Sequence, residues 1–230
     1  ILLLEDNAHS LGARISGRMT GTFGTASATS FCQNKLISTG EGGAVVTDDA
    51  EVIEKMKMFR SHGRLESQDT DYFSNNDEPS YLEVGHNYRM PSINAALGIS
   101  QLEKFDLTIQ RRKNVAESII RRLKDIDDIV LPHKPEKSDH FFQQFTIRLR
   151  DSSRRDTLKN YLTDKGILTN VYYRPTHLST FYRKHFGWRE GDLPNTEKLA
   201  SEILTLPIFP SMSTAQIGML TDTIATFYSI

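Results

Sequence analysis

The 230-residue chain has a single cysteine, Cys32, so no disulfide can close within it, and a lone thiol fits a reducing compartment. It has no apolar run of membrane-spanning length. The opening Ile1-Leu-Leu-Leu4 is only four residues long, against the roughly twenty needed to cross a bilayer. Neither sign of charge dominates: 28 Lys and Arg stand against 29 Asp and Glu, which gives no reason to expect nucleic acid or an anionic membrane as a partner. The basic stretch Gln110-Arg-Arg-Lys113 falls in a helical pattern and reads as a solvated face. Repeats and low-complexity tracts are missing, as are the basic and long apolar segments of a secretory signal. The expectation is a soluble cytoplasmic protein. Because residue 1 is Ile and the chain opens in an apolar run of buried-strand type, the expectation is also that this is a fragment of a longer protein.

What is present is an alternation of strands and helices. Ile1–Leu4 reads as a strand covered on both faces. Ala26–Phe31 and Gly43–Thr47 read as further strands punctuated by glycine. Asp48-x-x-Glu51 resembles a capping box, after which Val52, Met56 and Phe59 recur at helical spacing until Gly63. Residues 64–82 read as a long polar loop, a kind usually functional or mobile. From Pro91 a helical pattern runs to about Ile126, with Val115, Ile119 and Leu123 on one stripe and a bend expected near Gln110. Phe142–Arg150 and Leu168–Tyr173 read as strands. Arg154–Lys165, Leu193–Leu204 and Ser213–Tyr228 read as helices, the last with Ser213-x-x-Gln216 as its capping box. The expected boundary lies near residue 110, giving 1–110 as part of a large α/β domain and 111–230 as a small α+β C-terminal domain.

The chemistry concentrates before residue 90. Asp6 follows an apolar strand directly, and strand ends in open α/β sheets face the ligand crevice. His9 lies three residues on. Lys35 sits between Ser30 and the glycine-rich Thr39-Gly-Glu-Gly-Gly43, a turn that permits close backbone approach. A lysine in that setting, with a strand-end aspartate, is what pyridoxal phosphate asks for: an amine for its carbonyl and a carboxylate for its ring nitrogen. Each residue has a plainer reading. Asp6 can cap a turn, His9 can be a surface residue, Lys35 a solvated lysine, and Cys32 can simply pack beside it. Gly85-His-Asn-Tyr-Arg-Met90, just before the long helix, offers Asn87 and Arg89 to a phosphate or carboxylate, or forms an ordinary polar turn.

Taken in order, Glu5-Asp-Asn-Ala-His9, Gly21-Thr-Phe-Gly24, Ser30-Phe with Lys35, Thr39-Gly-Glu-Gly-Gly-Ala-Val-Val46, Arg60-Ser-His-Gly63, Gly85-His-Asn-Tyr-Arg-Met90 and Ala95-Ala-Leu-Gly-x-x-Gln-Leu-Glu103 resemble the DegT/StrS group of pyridoxal-phosphate-dependent nucleotide-sugar aminotransferases. The resemblance continues at His177-Leu178, Leu193-Pro194 and Leu204-Thr-Leu-Pro-Ile-Phe-Pro210, so it covers essentially the whole chain. It implies the aspartate-aminotransferase fold (fold type I), with a mainly parallel sheet in a large domain lacking its N-terminal part and a small C-terminal domain.

By that resemblance Lys35 matches the Schiff-base lysine, Asp6 the partner of the pyridinium nitrogen, His9 a ring contact and Ser30 a phosphate ligand. Asn87 matches an asparagine reaching the cofactor of a neighbouring subunit, which implies a homodimer with shared sites. Arg89 and His177 are weaker matches on the substrate side. The implied reaction moves an amino group from glutamate to a keto group of a nucleotide-linked deoxysugar. A non-catalytic remnant or regulatory module, and a dehydrase or lyase, are the alternatives; a related dehydrase branch carries His in place of Lys35. The family's N-terminal phosphate-cradling turn and ring-stacking aromatic are not found, so weak cofactor binding by this chain alone is expected. No metal site is expected.

Overall fold

The computed structural model describes residues 1–64 and 81–229; the polar loop expected at 64–82 therefore lies, apart from its ends, outside the described residues. In chain order the elements are β1 (Leu4–Asp6), β2 (Arg14–Ile15), β3 (Arg18–Met19), β4 (Ala26–Ser30), β5 (Gly43–Val46), α1 (Ala50–Arg60), α2 (Ser92–Leu102) and α3 (Phe105–Leu123). They continue with β6 (Ile129–Val130), β7 (Ser138–Asp139), β8 (Phe145–Leu149), α4 (Arg154–Asp164), α5 (Thr180–Phe186), α6 (Pro194–Glu202), β9 (Ile203–Leu206) and α7 (Thr214–Ser229). Two compact units result. The first is Ile1–Phe105 with Lys137–Asp139; the second is Asp106–Glu136 with His140–Ile230. The division falls at the start of α3, and residue 110 lies inside that helix. No described helix is long and apolar enough to cross a membrane.

The first unit is built on the sheet β1-β4-β5. β1 runs parallel to β4, with Leu4 opposite Ala26 and Asp6 opposite Ala28, whereas β4 and β5 are antiparallel. The ladder moves the first strand later than expected. Ile1–Leu3 lie outside it and Leu4 is 71% exposed, so hydrogen-bond pairing to β4, not apolarity, fixes where the strand begins. Glu5 then closes the next turn. Its carboxylate accepts the amides of Gly21, Phe23 and Gly24. Burial alone would push this carboxyl up, but the three amides outweigh it and hold Glu5 below the ordinary carboxylate range. Gly21, at φ +87°, is required there, since a Cβ would sit 2.6 Å from the Asn7 amide nitrogen.

Helix α1 is capped by Asp49, not by the expected Asp48. The Asp49 side chain accepts from the amides of Glu51 and Val52 at 2.9 and 3.3 Å, while Thr47 takes the Asp49 amide. The expected long helix is two helices. The break falls at Glu103–Lys104, between α2 and α3, and the chain stays helical through Gln110.

In the second unit the antiparallel sheet β6-β8-β9 packs against α3, α4 and α7. Phe145 pairs with Leu206 and Ile147 with Leu204, which puts all four side chains on the core face. Val115, Ile119 and Leu123 supply the α3 stripe, joined by Leu158, Leu162, Leu220 and Ile224. Each such burial is worth about 1.5–3 kcal/mol, so this unit contains a full core of its own. Arg112, three residues before Val115 on the same face of α3, is also buried. Its guanidinium donates to the carbonyls of Phe142 and Gln143, both at 2.7 Å, and burial lowers its pKa to about 10.

Two expected elements differ here. Leu168–Tyr173 is not a strand: only Asn170 bridges to Thr205, because the next amide, Val171, turns to the Asn170 side chain. The helix expected to reach Leu204 stops at Glu202, and Ile203–Leu206 joins the sheet instead. The Ser213–Gln216 capping box forms, each side chain accepting the other's amide.

Candidate active site

Parallel pairing of β1 with β4 brings the carboxyl ends of both strands to one edge, the edge that faces ligands in α/β sheets. Asp6 ends β1 and Ser30 ends β4. Beyond Ser30 the chain makes a closed excursion over residues 31–42: the Phe31 amide bonds to Gly42 and the Thr39 amide to Phe31. Lys35 lies within it, half-buried, its amide on the Cys32 carbonyl at 3.0 Å. The Ser30 hydroxyl accepts the Cys32 amide, and Ile37, 2% exposed, anchors the excursion inward. Gly42 allows the closure, because a Cβ there would stand 2.5 Å from the Thr39 hydroxyl.

Helix α2 fixes the far side of this loop. Gln101 bonds both ends of Ser38, accepting its amide at 3.0 Å and donating to its carbonyl at 2.6 Å. Asn94 donates to the Thr39 carbonyl at 2.7 Å. Gly98 lets the helix approach, since a Cβ would meet the Thr39 methyl at 3.1 Å. Nothing in the spacing of Asn94 or Gln101 announces these roles; Gln101 appears in the sequence only as part of a longer motif.

Asp6, His9 and Lys35 form one electrostatic group. Burial and then the Lys35 ammonium lower the His9 pKa, and the Asp6 carboxylate opposes them. His9 is thereby biased toward its neutral form. One Asp6 oxygen also accepts the Ala8 amide at 3.0 Å, so Asp6 caps its turn while acting on His9.

Asn87 and Arg89 lie in the same unit, on the segment that runs along the end of α1. Asn87 pairs with Ser61 in an isolated antiparallel bridge, and Arg89 donates to the Ser61 hydroxyl at 3.1 Å. The crossing is tight at Gly63 and Gly85, where any Cβ would strike the opposite backbone. Both Asn87 and Arg89 are exposed. His177 belongs to the second unit. It is buried, with Nε2 2.9 Å from Glu197 and its ring edge against Trp188. Glu197 also accepts the amides of Gly191 and Leu193.

The chain superposes along its whole length on Helicobacter pylori PseC, an aminotransferase involved in pseudoaminic acid biosynthesis, with a TM-score of 0.89, 31% identity and 60% of that chain covered. The chain belongs to the DegT/DnrJ/EryC1/StrS aminotransferase family, whose family model matches residues 1–225. It is 34% identical to GDP-perosamine synthase of Escherichia coli O157:H7, over all of this chain and 59% of that protein. It is 33% identical to the pleiotropic regulatory protein of Geobacillus stearothermophilus, over 99% of this chain and 58% of that protein. The chain thus spans about three-fifths of the length of these relatives.

Proposed function

We propose that this chain forms the lysine-bearing part of a pyridoxal-phosphate-dependent aminotransferase that moves an amino group from glutamate to a keto group of a nucleotide-linked deoxysugar. The observation that carries this reading is the Asp6–His9–Lys35 group in a chain of an aminotransferase family. The donor set fits the cofactor: a primary amine, a strand-end carboxylate, an imidazole and a strand-end hydroxyl. Asp6 would hold the ring nitrogen, His9 the ring and Ser30 the phosphate. Asn87 would serve the phosphate of a neighbouring subunit in a homodimer with shared sites. When bound, pyridoxal phosphate supplies a carbonyl for amine exchange and a ring that takes up electrons.

Lys35 carries the proton. Its Nζ removes a proton from the α-carbon of the amino donor and, in the second half of the reaction, delivers one to the sugar carbon receiving nitrogen. His9, biased neutral, offers a hydrogen bond without adding charge. Asp6 supplies the negative charge that balances a protonated ring. Arg89 and His177 are the candidates on the substrate side. The name of GDP-perosamine synthase supports a sugar nucleotide as acceptor.

The test is the donor half-reaction. With pyridoxal phosphate bound, L-glutamate should yield one equivalent of 2-oxoglutarate per site in the absence of any sugar; a protein that holds the cofactor yet releases none contradicts the reading. That outcome is the one favoured by a regulatory role, the second reading, which the name of the Geobacillus relative supports.

A further inference from the structure

The two faces of the β1–β4 ladder differ. Asp6, Ala28 and Ser30 share one face, the one that carries the residues proposed for the cofactor. Glu5, Asn7, Ser27 and Thr29 share the other, and Asn7 is buried there. The turn bearing His9 starts at Asn7. The Asn7 carbonyl accepts the Ser10 amide at 3.2 Å, and its side-chain oxygen accepts the Ser10 hydroxyl at 2.6 Å. From the opposite side the Thr20 hydroxyl donates to the Ser10 carbonyl at 2.6 Å. Thr20 is itself fixed, its amide on the Ala13 carbonyl at 2.9 Å and its carbonyl accepting the Asn7 side-chain amide at 3.4 Å. Ser10, one residue after His9, is thus held at its amide, its hydroxyl and its carbonyl. The first of these bonds alone suffices to reverse the chain; the other two fix where the reversed segment sits.

We propose that Thr20 and Asn7 are positioning residues for His9: gripping Ser10 from two sides, they hold the imidazole beside Asp6 and Lys35. The assignment rests on the aminotransferase reading for what His9 does at the cofactor ring, whereas the placement of His9 exists without cofactor. Lys35 and Asp6 are the charged groups that act on His9, and a charge acts more weakly as distance and solvent intervene. The influence of Lys35 on His9 therefore measures how firmly the ring is held. A Thr20 that served stability alone would leave that influence unchanged.

The test titrates the His9 ring by NMR in the full chain without cofactor, the signal being assigned through His9→Gln. Lys35→Ala is introduced into the wild-type, Thr20→Val and Thr20→Ser backgrounds. Valine keeps the shape of threonine and removes the hydroxyl; serine keeps the hydroxyl. Lys35→Ala should raise the His9 pKa in the wild-type background. That rise should shrink by at least about half in Thr20→Val and return in Thr20→Ser. An undiminished rise in Thr20→Val overturns the proposal, as does a wild-type background in which Lys35→Ala leaves His9 unmoved. Should Thr20→Val not fold, Ser10→Ala, which removes the hydroxyl bound to Asn7, reads the same quantity, and an undiminished rise there overturns the proposal equally. The aminotransferase reading fails separately, by the donor half-reaction, and its failure leaves these titrations standing.

Discussion

Gln101 makes both hydrogen bonds of the Ser38 peptide from 63 positions away, at 3.0 and 2.6 Å, and so ties the Lys35 loop to helix α2. Loss of this pair should be felt twice. Gln101→Ala removes two partly buried bonds, each worth about 0.5–1.5 kcal/mol, so urea unfolding should show a loss of about 1–3 kcal/mol. A loop freed at Ser38 holds Lys35 less firmly, and cofactor affinity should fall as well. Wild-type stability in the variant would mean that the contact holds nothing.

The electrostatic group at Asp6, His9 and Lys35 can be read without cofactor. Burial and then Lys35 lower the His9 pKa, and Asp6 opposes them. Lys35→Ala should therefore raise it and Asp6→Asn should lower it further. Both shifts are measurable by NMR titration of the His9 ring. A His9 that ignores both substitutions would show that the three residues do not share a site.

Much of this site is visible in the sequence because its signals are local. Ser30, Lys35 and the Thr39–Gly43 turn lie within fourteen residues, and the Ser213–Gln216 box needs only its own helix start. What the sequence hides depends on distant partners. Glu5 reads as an acidic strand end, yet the amides that donate to its carboxylate lie 16 to 19 residues on. β1 begins at Leu4 only because Ala26 stands opposite. The helix break at Glu103–Lys104 carries no glycine or proline to mark it. Asn170 diverts a β-type pattern through a single side-chain bond to the next amide.

Glu197 should make the second unit sensitive to acid. The hydrogen bond from His177, then that from the Gly191 amide, hold its carboxyl below the ordinary value of 4.5. For a depressed carboxylate, the stabilisation is complete above the unfolded-state value and is lost as pH falls through the folded-state value. Thermal midpoints should therefore fall below about pH 4.5. The slope there should be shallower in Glu197→Gln, which cannot titrate. An identical pH profile in the two proteins would contradict this.

The central claim is that Lys35 is the amine that engages the cofactor, and covalent trapping tests it most directly. The protein is mixed with pyridoxal 5'-phosphate, reduced with borohydride, digested and mapped by mass spectrometry. The account predicts the reduced cofactor on Lys35. It also predicts that Lys35→Ala loses that label and falls in turnover by at least the ~10²–10⁴-fold range of general acid–base catalysis. Label on another lysine of the wild-type protein, or trapping undiminished in Lys35→Ala, would contradict it.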